Sequence, residues 1–478
     1  MIFKVIRFKL NKIIILKYIL KILFLFLVLT TNAKAQPVTW SKWFDYNNYD
    51  NSGQDVIQTF DGGYLILGIN YNSLNNSSIL IKINSLGTIV WKKIIDQTMT
   101  QGVQVTCYAL HQVNDSGFIL SGFSSSDSAV LLKTDKIGNI SWIKKYSRIG
   151  VEARFFDHKI TSDGGIIACG DLYPPFKAYV VKTDSNGNKE WDSSYSLVSS
   201  NILQSDENNY YILSTNSISK IDFIGRLIWT RGLGNIGNKM IQQNPGELYT
   251  IYTGNNLDSL LLNKIDSSGN LLWRKSYFPV TRGFSLCFSK EGNILLAGYK
   301  DTLKQFDIVT AKINLDGSLI YRKRINVFTG NLFMYPNSVK GTNDYGFIFT
   351  GPTDYPGSPY QDNIFALKTD SLCNAPIFTV INTSATELPK NFQLLQNYPN
   401  PFNGFTTINY ELKSSGLTNL SICDISGKEI FLIRNEHQNS GFYQLKLNSD
   451  ILLLSSGIYF VKLNFNKDID VRKIVLLK

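Results

Sequence analysis

Apolar residues in this chain fall into short runs bracketed by an acidic or amide residue with glycine on one side and a glycine on the other. Asp61-Gly-Gly-Tyr-Leu-Ile-Leu-Gly68 sets the pattern. It returns as Asp115-Ser-Gly-Phe-Ile-Leu-Ser-Gly122, Asp163-Gly-Gly-Ile-Ile-Ala-Cys-Gly170, Glu291-Gly-Asn-Ile-Leu-Leu-Ala-Gly298 and Asp344-Tyr-Gly-Phe-Ile-Phe-Thr-Gly351, with weaker copies from Glu207 and Asn244. Runs this short between turn signals predict buried β-strands rather than helices. The seven starts at 61, 115, 163, 207, 244, 291 and 344 lie 54, 48, 44, 37, 47 and 53 residues apart. A period near 40–50 residues marks a repeat architecture.

A second phrase follows each first one. Leu80-Ile-Lys-Ile-Asn-Ser-Leu-Gly-Thr-Ile-Val-Trp91 is echoed by segments ending at Trp142, Trp191, Trp229, Trp273 and Tyr321. Each predicts two strands joined by an Asp/Asn-x-x-Gly turn, because an Asx side chain opens a tight turn and glycine accepts the positive φ near its end. With the strand before the Asp-Gly turn, such as Asp55–Phe60, every repeat holds four strands. The fold class expected is therefore all-β, a seven-bladed β-propeller over residues 36–375. Its seventh repeat ends at Asp370-Ser-Leu-Cys373 with cysteine in the glycine slot and no tryptophan strand after it. That strand appears at 38–45, where Val38-Thr-Trp40-Ser-Lys42-Trp-Phe-Asp45 matches Val90-Trp91-Lys-Lys93-Ile-Ile-Asp96, so the N-terminal strand is expected to complete the last blade. Trp40, Trp91, Trp142, Trp191, Trp229, Trp273 and Tyr321 then occupy one place per blade, as packing residues at blade junctions.

The first 35 residues differ. Seven basic residues and no acid accompany the apolar run Ile22–Leu29, and Ala33-Lys34-Ala35 precedes Gln36. This is the layout of a signal peptide cleaved after Ala35, and the run is too short to span a membrane. Cleavage would reduce the formal charge from +11 to +4. With no basic stripe left, a nucleic-acid partner is not expected. Hydrophobic residues at 44% and aromatics at 13% suit a folded core.

The repeat stops after Ala375, and 376–387 reads as a polar linker. The segment 388–478 opens with Leu388-Pro-Lys-Asn-Phe392 and Gln396-Asn-Tyr398-Pro399-Asn400-Pro401-Phe402-Asn403. It continues through Thr406-Thr-Ile-Asn-Tyr-Glu-Leu412, Leu420-Ser-Ile-Cys-Asp424-Ile-Ser-Gly427, Gly457-Ile-Tyr-Phe-Val-Lys462 and Lys473-Ile-Val-Leu-Leu-Lys478. These motifs resemble the type A sorting domain of the type IX secretion system of Bacteroidota and relatives. One departure is Gly404-Phe405, where that family usually shows a small pair such as Pro-Ser. On its own pattern the segment predicts a small β-sandwich. The resemblance implies export through the Sec translocon, folding in the periplasm, passage by the type IX machinery and release from, or attachment to, the outer-membrane surface, commonly with loss of this domain.

Catalytic signatures are sparse. The three histidines are His111, His158 and His437, the first two on first strands where they are expected to face a wet central channel, and no G-x-S-x-G phrase is present. Five widely spaced cysteines imply neither a zinc site nor a disulfide framework. The phrase Asp184 to Trp191 resembles the tryptophan-docking motif of quinoprotein propellers. The adjacent cysteines that hold their cofactor are missing, and no cofactor is expected. Asp184-Ser-Asn-Gly-Asn188 and Asp266-Ser-Ser-Gly-Asn270 invite calcium, but the spacing and bidentate glutamate of an EF-hand are lacking and no metal is expected. The turns inside strand pairs lie on one face and are uniform. The opposite face carries loops of variable length and chemistry, where Tyr173, Phe176, Phe328, Phe333, Tyr335, Tyr355 and Tyr360 are the candidate binding residues. The expected function is a secreted, monomeric, non-catalytic propeller with a glycan or protein ligand. A carbohydrate-active enzyme is the alternative, its carboxylates gathered from several blades.

Overall fold

The computed structural model describes residues 38–477, apart from 45–49, 72–75, 98, 101, 206, 235–236, 245, 254–259, 278–281, 303–304, 326–333, 356–357, 377–391, 396, 398, 413, 426, 449–453 and 467. The chain divides into two compact units after Val380. The first unit holds seven antiparallel four-stranded sheets, the blades of the propeller. Their inner strands are Asp50–Gln58, Val105–Gln112, Glu152–Ile160, Ser199–Gln204, Gly237–Gln242, Arg282–Phe288 and Ser338–Gly341. In the seventh sheet the outer strand is Trp40–Phe44, paired from Trp40↔Lys368 to Phe44↔Ile364.

Apolar cores lie between neighbouring blades, because strand alternation gives each sheet two apolar faces. Ile167, Cys169 and Val180 of blade three pack with Ile202, Tyr210 and Ile212 of blade four, for example. Blade seven adjoins blade one in the same way: Val56, Tyr64 and Ile66 share a core with Trp40, Ile348 and Ile364. The outer-strand aromatics pack at the blade junctions, as the repeat implied, and there they dock on the turn glycine of the following blade. A Cβ at Gly87 would stand 2.8 Å from Trp40, one at Gly138 2.8 Å from Trp91 and one at Gly225 2.8 Å from Trp191. Those glycines also have φ of 78°, 83° and 85°, so two constraints select glycine there. Blade seven's Cys373 adopts φ 56° in that slot and receives the Tyr321 hydroxyl at 3.3 Å.

One polar device recurs in all seven blades and escaped the sequence reading. A lysine two residues before the Asp/Asn-x-x-Gly turn is drawn in to meet the acid of the Asp-Gly turn. The pairs are Lys82–Asp61, Lys133–Asp115, Lys182–Asp163, Lys220–Glu207, Lys264–Glu247, Lys312–Glu291 and Lys368–Asp344, at 2.5–3.1 Å. Blade five corrects the repeat start at Asn244. The positive φ of Gly246, 77°, matches that of Gly62, 80°, and sets the start at 245. Proline holds the acid's place, and the carboxylate comes from Glu247 instead.

The second unit is a sandwich of a three-stranded and a four-stranded sheet. Phe392, Leu394, Phe402, Ile408 and Tyr410 pack with Leu420, Ile422, Val461, Leu463 and Leu476 to form its core.

Candidate functional site

A bulge interrupts six of the inner strands at one repeat position, at Gln54, Tyr108, Phe156, Ser200, Asn238 and Phe284. A bulge resets the alternation of side chains beyond it. In blade three this turns His158 inward, away from the channel where the sequence placed it. His158 is fully buried between blades two and three, bonded to Ser121 Oγ at 2.8 Å and to His111 at 3.1 Å, where the other blades have Val56, Leu110, Ile202, Met240, Leu286 and Val339. Burial holds its imidazole down to about 4, and His111 also lies well below the usual histidine range because of burial and the His158 and lysine charges near it.

The residue after the bulge joins neighbouring blades. Asp55 accepts the Leu110 N–H at 3.2 Å and the Ser338 hydroxyl at 2.7 Å. Asp157 accepts the Ile202 N–H at 3.1 Å and an Asn201 amide N–H, Asn201 accepts the Met240 N–H at 3.0 Å, and Ser285 accepts the Val339 N–H at 3.2 Å. Lys159 and Lys340 complete ion pairs with Asp157 at 2.7 Å and Asp55 at 3.5 Å. These acids are thus occupied in holding the blades together. The turn carboxylates offered for calcium are occupied as well: Asp184 Oδ1 accepts the N–H of Asn186 and of Asn188, each at 2.8 Å, and Oδ2 accepts the Asn188 amide at 2.8 Å.

The variable face is different. Tyr173 and Phe176 stand at the tip of the second hairpin of blade three, 47% and 61% exposed, with ring centroids 4.6 Å apart. Nearer the axis Tyr108 contacts Phe123 and Phe156 at 6.0 and 5.7 Å, and the Arg154 guanidinium lies over Phe123 at 5.0 Å. Tyr335 is half-buried against Tyr299 at 5.7 Å. Phe328 and Phe333 lie outside the described residues, as do Ala33 and Ala35. Tyr355 and Tyr360 fall on the strands Phe347–Tyr355 and Ser358–Thr369, and their side chains too are outside the description. Between blades three and four the structure adds a residue that the sequence reading passed over. Asp171 is 9% exposed, and its Oδ1 has no hydrogen-bond partner. Burial raises its carboxyl to about 6, while the Ser199 N–H and Arg154 draw it down less strongly.

In the second unit the motif residues clasp the C-terminal strand. Asn400 donates to the Lys473 carbonyl at 3.0 Å and accepts the Val475 N–H at 2.8 Å. Phe402 is buried, and its backbone bonds Val475 and Leu477 at 2.9 Å each. The Pro399 carbonyl accepts the Thr406 hydroxyl at 2.8 Å, and Pro401 and Asn403 carry the chain round this corner into the strand Phe405–Leu412. Gly404, the point of departure from the family pattern, takes φ 81°. Tyr398 lies outside the described residues. Residues 396–477 match the family described as the secretion system C-terminal sorting domain.

The C-terminal module is a type IX sorting domain. The chain is therefore exported, to the medium or the cell surface. No curated protein matches the sequence. Among solved structures the chain is similar to the WD40 β-propeller domain of Doa1, at 13% identity over 69% of this chain and 97% of that one, with a TM-score of 0.47. It is likewise similar to a protein of unknown function from Dyadobacter fermentans (11%, 70% and 98%, TM-score 0.44) and to BamB from Moraxella catarrhalis (13%, 68% and 98%, TM-score 0.39). None of these likenesses bears on what the propeller binds.

Proposed function

We propose that this protein is a secreted or surface-attached propeller whose work is binding, with a glycan or protein ligand held on the variable face. The Sec translocon recognises the first 35 residues, which are cleaved off after Ala35, the type IX machinery recognises the sorting domain, and the mature propeller acts as a monomer. The observation that supports the reading best is the Tyr173–Phe176 pair, two large rings exposed to solvent at a hairpin tip. Aromatic rings left open on a fixed scaffold suit stacking on sugar rings or anchoring in a partner's pocket.

The test is glycan-array binding by the mature chain and by a variant with Tyr173, Phe176, Tyr355 and Tyr360 replaced by alanine. The variant should lose binding while keeping its melting temperature. Full retention would move the site elsewhere, and the opposite face offers a place for it, since Leu227, Ile228, Leu271, Leu272, Leu319 and Ile320 are exposed beside its turns. One observation favours the enzyme reading, the raised carboxyl of Asp171, which is the property of a general acid. Release of reducing ends from a bound polysaccharide, lost in Asp171→Asn, would establish it.

A further inference from the structure

Each outer strand after an Asp/Asn-x-x-Gly turn opens with a pair of residues ahead of its aromatic, and the second of the pair is the extra residue of a β-bulge. In blade four Leu227 pairs with Ile221 and Trp229 with Lys220, so Ile228 has no cross-strand partner. Leu272 and Ile320 hold the same place in blades five and six. A bulge bends its strand and re-aims the side chains around it. Here the aromatic packs on the blade cores while both residues before it stay in solvent: Leu227, Ile228, Leu271, Leu272, Leu319 and Ile320 are between 41% and 52% exposed. The fold does not require apolar residues there. The same bulge holds Ile140-Ser141 in blade two and Lys189-Glu190 in blade three. Single exposed apolar residues are ordinary, but a pair repeated at one level in three successive blades marks a surface built for contact.

Cations follow the aromatics. The strands Leu227–Gly232, Leu271–Ser276 and Leu319–Ile325 carry Arg231, Arg274, Lys275, Arg322, Lys323 and Arg324, and no acid. Arg274 is partly held by Asn263 and the Leu233 carbonyl, and Arg324 by Asp307. Arg231, Lys275 and Arg322 are exposed and form no ion pair among the described residues. Away from the turn, each strand therefore reads apolar pair, half-buried aromatic, cation. That is the order of environments met on leaving a bilayer: acyl chains, then the level that favours Trp and Tyr, then the anionic surface that attracts Lys and Arg. Leu271 to Lys275 spans about 13 Å along the strand. A headgroup layer is about 5–8 Å deep, so one strand can reach across it. A second copy of the chain fits less well, because a two-fold contact sets a patch against itself and would bring these cations together.

We propose that the outer strands of blades four to six form a docking surface for an anionic lipid membrane, with the leucine and isoleucine pairs entering the acyl region and the arginines and lysines meeting the headgroups. An exported chain meets such a membrane at the outer face of a cell. Blade one extends the surface with a further copy, Ile89-Val90-Trp91-Lys92-Lys93, whose first two residues are also exposed. The proposal is separate from the ligand of the variable face and stands whether or not that ligand is found.

Vesicle co-sedimentation of the chain from Gln36 to Lys478 tests it, the first 35 residues being left off because their apolar run would itself enter a bilayer. Vesicles of phosphatidylglycerol with phosphatidylcholine should pellet the chain, and raised salt should release it. Vesicles of phosphatidylcholine alone should bind it more weakly by about tenfold or more. Replacing the six apolar residues by threonine, which suits a strand, and separately Arg231, Lys275 and Arg322 by glutamine, should each weaken binding about tenfold or more, with near-UV circular dichroism unchanged. Should the threonine variant fail to fold, Leu271→Thr/Leu272→Thr replaces it. Failure to bind anionic vesicles, equal binding to both compositions, or binding untouched by both variants would overturn the proposal. So would a dimer of the lipid-free chain that the threonine variant abolishes, since the surface would then be an interface between copies.

Discussion

Asp171 gives the residue scale its sharpest test. Its carboxyl titrates near 6 in the folded chain because burial disfavours the anion, against 3.8 for the ordinary group. Below about pH 3 both states are protonated and the residue contributes nothing to pH dependence. As pH rises from about 3 to about 7 the unfolded chain loses its proton first, so stability falls, and above that the loss is constant at about 3 kcal/mol. Asp171→Asn should remove this loss. Denaturant titration should show the variant more stable than the wild type by up to that amount at pH 7.5, with the difference gone by about pH 3, and an unchanging difference across that range would contradict the assignment. Neither Asp171 nor the orientation of His158 was legible in the sequence. Asp171 is buried where the end of a blade-three strand meets blade four, and His158 is turned inward by a bulge at Phe156 that no residue type announces.

At the scale of strands, the outer aromatics and turn glycines were legible because each is a fixed residue type meeting another fixed type across a junction. The Trp40–Phe44 strand, which fills the vacant place in blade seven, was legible for the same reason. The lysine–acid pairs were equally periodic. They were overlooked because the lysines sit inside apolar runs that read as plain strands, and because blade five shifts its acid by two positions. Trp40 is nearly buried, packs edge-on against Tyr64 at 5.8 Å and donates to the Ser85 carbonyl at 2.9 Å. Trp40→Ala should therefore cost about 3–5 kcal/mol. Deleting 37–45 should cost more, since it also opens the edge of the strand Ser358–Thr369. Thermal melts of both variants check this, and an unchanged melting temperature in the deletion would contradict closure by the N-terminal strand. In the sorting domain, Asn400→Ala removes both bonds to the terminal strand, and cell fractionation should find the variant chain accumulating in the periplasm.

Across the whole molecule, function divides between two modules of different legibility. The sorting domain carries its identity in contiguous motifs, so the sequence alone pointed to the export route. The binding residues proposed for the propeller lie in loops that share no phrase, and the pairing of the Tyr173 and Phe176 rings emerges only in the folded hairpin. The N-terminal 35 residues and the sorting domain are both read as removable addresses around a durable ring. Mass spectrometry of the protein from the medium or surface of a type IX-competent host tests that account most directly. It should find Gln36 at or beside the N-terminus and no peptides from the last 90 or so residues. Recovery of the intact precursor, retained inside the cells with both ends present, would contradict it.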